Sequence, residues 1–146
     1  MLHLPAYAVS HVKFDAQEES PKKILLTDGS QYHNVVIIML GEFEYLILSA
    51  AVRLEENAYG AAIRQEIETA TKRRCSIGAL YTTLDRLENK GLIKTAMGDP
   101  TPQRGGRPKR MVRVTGKGVQ AASEFYATVT RVSRGVSWEA QARNES

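Results

Sequence analysis

Two groups of residues in this chain are equipped for chemistry, and in both the chemistry is recognition of an anion rather than bond-making. The first is the run from Ser76 to Gly91, Ser-Ile-Gly-Ala-Leu-Tyr-Thr-Thr-Leu-Asp-Arg-Leu-Glu-Asn-Lys-Gly. Its apolar residues Ile77, Leu80, Leu84 and Leu87 recur at three- and four-residue steps, which places them on one face of a helix. The outer face is left with Gly78, Ala79, Thr82, Thr83 and Arg86. Small or hydrogen-bonding side chains with one guanidinium suit close approach to base edges in a major groove; the plainer alternative is a surface helix that is merely polar outside. The second group is Arg104, Arg107 and Lys109, gathered in the Gly- and Pro-rich stretch from Gly98 to Lys109. A loop that gathers cations beside such a helix is placed to contact phosphates or reach a minor groove.

The charge distribution agrees. Residues 71–117 hold twelve of the twenty Lys and Arg but three of the sixteen Asp and Glu, so this segment carries +9 in a chain of +4 and the remainder carries −5. Such asymmetry points to an anionic partner, with nucleic acid first. Signs of catalysis are missing: there is no nucleophile–base pair, no paired carboxylates, and Arg104-Gly105-Gly106-Arg107 lacks the Lys-Ser/Thr that follows in a phosphate-binding loop. The expectation is therefore no enzyme and no cofactor. His3, His11 and His33 lack metal-ligand spacing, and a lone Cys75 excludes an internal disulfide and a cysteine-rich zinc site. Cys75 reads as a small packing residue. The run Val35 to Val52 is apolar, but Glu42 and Glu44 near its centre argue against a membrane span. No secretory signal is visible, and a cytoplasmic protein is expected.

The elements that must hold these residues follow from punctuation and period. Ser76 is a natural N-cap, and Gly91 followed by Leu92 suits a left-handed helix stop with Leu92 folded back on Leu87. Upstream, Phe43, Leu46, Ile47, Ala50, Ala51 and Leu54 keep helical spacing, while Tyr45 and Leu48 widen the apolar surface almost all round; a partner subunit is the natural cover in so small a chain. Glu55-Glu56-Asn57 ends that helix. A second spans about Tyr59 to Ala70, with Ile63 and Ile67 inward and Arg64, Gln65, Glu66 and Glu68 outward. Lys72, Arg73 and Arg74 lie in the turn to Ser76, near where a phosphate backbone would pass, which makes a helix-turn-helix. Residues 92–97 and 110–115 read as two strands of a hairpin, with Val112 and Val114 on one face and Met111 and Arg113 on the other. Thr115 then caps a last helix with the stripe Val119, Ala122, Phe125, Tyr126, Val129 and Val132. Gly116 and Gly118 weaken its first turn and Gly135 stops it. Trp138, beyond it, is left to pack across a dimer, line a small-molecule pocket or cover the core edge. Residues 139–146 read as a polar, frayed tail. Residues 1–38 show only a hint of alternation and read as largely disordered. The order that begins at Met39 also raises the alternative that Met39 is the biological start.

Taken together, the chain resembles the PadR family of bacterial transcriptional regulators over roughly Leu40 to Trp138. The resemblance rests on Leu40-Gly41-Glu42-Phe43-Glu44, Ala58-Tyr59-Gly60, the helix from Gly78 to Glu88, Lys90-Gly91-Leu92-Ile93, and Arg104-Gly105-Gly106-Arg107-Pro108-Lys109-Arg110. It implies a mainly α fold with a small β-hairpin, a winged helix-turn-helix that dimerises through its first and last helices. It also implies repression through an inverted-repeat operator, with Tyr81 and the small polar residues around it approaching DNA. Many members respond to phenolic acids or hydrophobic drugs, so a small-molecule effector is possible in principle but unknown. The long N-terminal segment and Thr115-Gly116-Lys117-Gly118, where many members open the last helix with proline, depart from the pattern.

The resulting expectation is an uncertain extension at 1–38, a DNA-binding domain at 39–115, a dimerisation helix at 116–138 and a tail at 139–146. Its partners are double-stranded DNA and a second copy of itself, without membrane or metal. The residues placed against DNA are Ser76, Gly78, Ala79, Tyr81, Thr82, Thr83 and Arg86 on the recognition helix. Lys72, Arg73, Arg74, Arg104, Gly105, Gly106, Arg107, Lys109 and Arg110 join them from the turn and wing. Dimerisation is assigned to Phe43, Leu46, Ile47, Phe125, Tyr126, Val129 and Val132. The alternative is a winged-helix module that binds protein or RNA without operator specificity.

Overall fold

The helix centred on Ile47 and Leu48 is the element on which the others pack. It is α1, Glu42–Leu54, and it touches three of the other helices and the second strand. A computed structural model describes Phe14, residues 39–99 and residues 107–145. After α1 come a 3-10 turn at Glu55–Asn57, α2 at Gly60–Thr71, α3 at Ile77–Asn89, β1 at Ile93–Met97, β2 at Arg110–Val114, α4 at Gly116–Val132 and α5 at Trp138–Asn144. This is the mainly helical fold with a two-stranded antiparallel hairpin that the sequence predicts. The N-terminal extension other than Phe14, and Arg104, Gly105 and Gly106 of the wing, lie outside the described residues.

Each boundary has a local cause. The α1 N-terminus is closed by Glu44, whose carboxylate accepts from the Gly41 N–H at 3.0 Å, a charge favoured in a first turn. Lys72, at a left-handed φ of 57°, ends α2. The Ser76 hydroxyl accepts from the Ala79 N–H at 3.4 Å and opens α3. At the other end Gly91 takes a φ of 71°, its N–H reaching the Glu88 carbonyl at 2.8 Å and the Leu92 N–H the Leu87 carbonyl at 2.9 Å. That pair of bonds is the Schellman stop expected of a Gly-Leu sequence. In the hairpin Ile93 faces Val114, Thr95 faces Val112 and Met97 faces Arg110. The Val112 N–H donates to the Ala58 carbonyl at 2.8 Å, so β2 also borders the segment between α1 and α2.

Ile47, Leu48, Ile63, Leu80, Leu84, Leu87, Leu92 and Ile93 are fully buried and bring α1, α2, α3 and β1 into one core. Several expectations change here. Ile77 is exposed and Thr83 takes its place in the core stripe, its hydroxyl donating to the Ala79 carbonyl at 2.7 Å. Ile47 has no exposed surface and belongs to the core rather than to a dimer seam, while the half-buried Phe125 ring packs on Tyr45 of the same chain with centroids 4.7 Å apart. Phe43 and Leu46 are half-buried against the core. Met111 and Val112 are both buried although they point to opposite faces of β2, and the Met111 backbone bridges to Tyr59. The tail is helical as far as Asn144, since Ser137 caps α5 through the Ala140 N–H. Trp138 at its start is 70% exposed, so it does not cover the core edge.

Gly118 has a role that helix propensity alone conceals. A Cβ there would lie 2.1 Å from the Leu92 carbonyl oxygen, so only glycine lets the first turn of α4 settle on the end of the recognition helix. Gly116, one residue before Lys117, has nothing near it. Gly118→Ala is expected to destabilise the fold by about 1–3 kcal/mol or more, because backbone must move. Gly116→Ala is expected to be neutral or stabilising by up to ~1 kcal/mol. Thermal unfolding of the two variants checks the contrast, and equal effects would remove the close approach.

Candidate nucleic-acid interface

Helices α2 and α3 are joined by a turn that is clasped from behind. Glu68 Oε1 accepts from the Cys75 N–H at 2.9 Å, while the Arg64 Nε–H donates both to that carboxylate at 3.2 Å and to the Cys75 carbonyl at 2.9 Å. Both backbone groups of Cys75 are thus held by one ion pair on α2. The Cys75 backbone bond, against opposing desolvation and with help from Arg64 and Arg74, lowers the Glu68 pKa. Cys75 itself is buried, and burial followed by the Glu68 charge pushes its thiol up, away from thiolate chemistry. With the clasp behind it, the turn presents Lys72, Arg73 and Arg74, all exposed.

On α3 the exposed residues include Ile77, Gly78, Ala79, Tyr81, Thr82 and Arg86 beside the Ser76 cap. Thr83 drops out of the candidate base-reading set because it is buried. Tyr81 is 38% exposed and its hydroxyl end rests beside Gly60, the first residue of α2.

The wing root is fastened to this helix by charge. Arg110 donates from Nη1 to Asp85 at 2.7 Å and from Nη2 to Glu88 at 2.9 Å. Burial works against the guanidinium's charge, but the bonds to Asp85 and then Glu88 raise its pKa overall. Arg110 therefore differs from its sequence assignment: its charge is taken up inside the protein. The other Glu88 oxygen accepts from both the N–H and the hydroxyl of Thr95, at 3.1 and 2.7 Å, so one carboxylate ties α3 to both strands. Arg107 and Lys109 are exposed, and the Lys109 ammonium sits 4.2 Å from the centre of the Tyr59 ring, within cation–π range.

A second ion pair anchors the far end of α3. Lys90 Nζ lies 2.7 Å from buried Glu44. Burial alone would raise the Glu44 pKa, yet the bonds from Lys90 and Gly41 and the charges of Lys90 and Arg86 lower it. Sequence reasoning missed the clasp, the Arg110 fork and the Glu44–Lys90 pair. A Glu at the third position of a helix was the one visible signal, for Glu44.

A cleft of about 520 Å³ lies elsewhere, between the end of α1, β2 and the start of α4; Phe14 lines it, with the Arg113 guanidinium 4.7 Å from its ring centre. Among the described residues no His, Cys, Asp and Glu gather to hold a metal ion, and no helix is long and apolar enough to cross a membrane.

Both lowered carboxylates predict a stability that depends on acid. Each binds its proton more weakly folded than unfolded, so its contribution is full above the ordinary carboxylate pKa and is lost as pH falls through the lowered values. Unfolding midpoints measured downward from pH 6 should begin to fall near pH 4.5. In Glu44→Gln the fall should be shallower from a lower starting point; an unchanged slope would mean that this pair is not linked to folding.

A family model described as the transcriptional regulator PadR-like family matches residues 47–124, from the middle of α1 into α4. Among solved structures the chain is similar to a PadR-like transcription factor from Bacteroides fragilis, at 27% identity and a TM-score of 0.53, over 64% of this chain and 85% of that one. It is similar to a PadR family transcriptional regulator from Eggerthella lenta at 25% identity and 0.50, over 62% and 77%. The RosR protein of H. salinarum, in the hsRosR-S4 complex, gives 25% identity and 0.50 over 75% and 86%. That organism is an archaeon, so likeness to these proteins does not by itself place the chain in a bacterium. No curated protein matches the chain.

Proposed function

The chain belongs to the PadR-like family of transcriptional regulators, and from that membership we propose that it binds an inverted-repeat operator in the cytoplasm as a homodimer and represses transcription there. The observation that carries the DNA reading is the way charge is partitioned on the helix-turn-helix and wing. Asp85 and Glu88 are engaged with Arg110, whereas Lys72, Arg73, Arg74, Arg86, Arg107 and Lys109 are exposed. Two acids paired with Arg110 and six cations turned outward give a surface suited to phosphates. Gly78, Ala79, Tyr81 and Thr82 on the same helix are small or hydrogen-bonding enough to approach base edges. Arg104, Gly105 and Gly106 remain assigned to the wing tip. The reading divides the chain into a DNA-binding part at 39–115 and a dimerising part that begins at 116.

For the homodimer, the support is the outer side of α4. Tyr126, Val129 and Val132 are 63%, 47% and 75% exposed, a row of apolar side chains one helical turn apart that a second copy would cover. Twofold symmetry in such a dimer would present two α3 helices to two half-sites, hence the inverted repeat.

The test is titration of the purified protein into a labelled duplex from its own upstream region and into a shuffled duplex, at low and moderate salt. Preference for the upstream duplex at moderate salt with dimer stoichiometry is expected of a self-regulating repressor. Absence of binding even at low salt would overturn the DNA reading in favour of a protein-interaction module. Arg107→Ala should reduce the dependence of log K on log salt by about 0.9 for each phosphate it leaves unneutralised. Arg110→Ala should instead lower the unfolding temperature and leave that slope unchanged. Thr82→Leu should weaken operator binding more than binding to the shuffled duplex; equal losses would mean that this face does not read bases.

A further inference from the structure

The dipeptide Tyr59-Gly60 lies on none of the surfaces assigned to DNA, yet it touches two of them. The Tyr59 ring carries the Lys109 ammonium of the wing, and the Tyr59 backbone bridges to Met111 on β2. Gly60 is buried against the end of the Tyr81 side chain. We propose that Gly60 is a positioning residue for operator recognition: by lacking a side chain it sets where the Tyr81 hydroxyl stands on the recognition helix, in register with the wing cation held by Tyr59. The inference rests on the operator reading above and adds to it a residue that need not touch DNA.

Three observations carry it. Among the described residues the glycines with a left-handed backbone are Gly91 and Gly135, so the conformation of Gly60 does not require glycine. As the first residue of α2 it stands where alanine would be favoured by up to ~1 kcal/mol in helix propensity. What glycine provides there is room: a Cβ would come within 2.6 Å of Tyr81 Oη, 3.0 Å of Cζ and 3.3 Å of Cε1. The obstacle is the far end of a side chain, not backbone as at Gly118. Tyr81 is 38% exposed and its side chain can turn where backbone could not, so a methyl group at position 60 is expected to move the tyrosine rather than the helices.

The experiment introduces Gly60→Ala into the full chain in two backgrounds, with Tyr81 and with Tyr81→Ala. Operator and shuffled duplexes are titrated, and tyrosine ring resonances are recorded without DNA, Tyr81 being identified by its loss in Tyr81→Phe. With Tyr81 present, Gly60→Ala should move the Tyr81 resonances and lower operator affinity about tenfold, while shuffled binding stays within about twofold. In the Tyr81→Ala background it should change operator affinity less than about twofold, because the residue it acts through is gone. Equal losses in both backgrounds would overturn the proposal, as would unmoved Tyr81 resonances. If Gly60→Ala fails to fold, recovery of folding in the Tyr81→Ala background supports the contact and continued unfolding overturns it. A wild-type chain without operator preference would overturn the operator reading by itself, and the ring resonances would still decide whether Gly60 and Tyr81 touch.

Discussion

Three successive carbonyls at the end of α3 bind the two halves of this protein to each other. The Lys90 carbonyl accepts from the Lys117 ammonium, the Gly91 carbonyl from the Thr115 hydroxyl, and the Leu92 carbonyl from the Thr115 N–H. A helix C-terminus exposes carbonyls with no partner of their own. Here the opening turn of α4 supplies donors for them, and Gly118 removes the Cβ that would keep the two apart. The helix that faces outward for recognition and the helix with the uncovered apolar row are therefore joined without a linker.

The ion pairs divide along similar lines. Glu44 with Lys90, Glu68 with Arg64, and Asp85 and Glu88 with Arg110 each fix one attachment of the helix-turn-helix: its base, its turn and its wing. In each the acid is paired with a cation of the same chain, while Lys72, Arg73, Arg74 and Arg86 stay exposed. Asp99, just past the end of β1, is an exposed acid that works against their attraction for phosphates.

The parts of the fold legible in the sequence are those set by neighbours in the chain. Ser76 and Thr115 as caps, Gly91 with Leu92 as a stop, and Val112 in a strand all depend on residues within a few positions, and each has the expected bonds. A stripe at three- and four-residue steps can rotate by a fraction of a turn and still fit the pattern, which is why periodicity turns Ile77 inward and Thr83 outward where the fold does the reverse. Arg110 reads as a DNA cation because Glu88 lies 22 positions away, and Glu44 and Lys90 are 46 apart. Such pairs exist only once the chain has folded. Of the candidate site, the cations and the small face of α3 are visible in the sequence; the contacts that aim them, including Gly60 under Tyr81, are not. Helix α5 is hidden by its polarity, although the Ser137 cap is a local signal of the same kind as Ser76.

The carbonyl joint has a mechanical meaning. With the end of α3 fastened to the start of α4, a rotation of α4 would be passed on to α3 through these bonds. In an assembly built on α4, the angle at which two copies cross would fix the spacing of their reading helices. A change at that crossing would alter the distance between the two α3 helices.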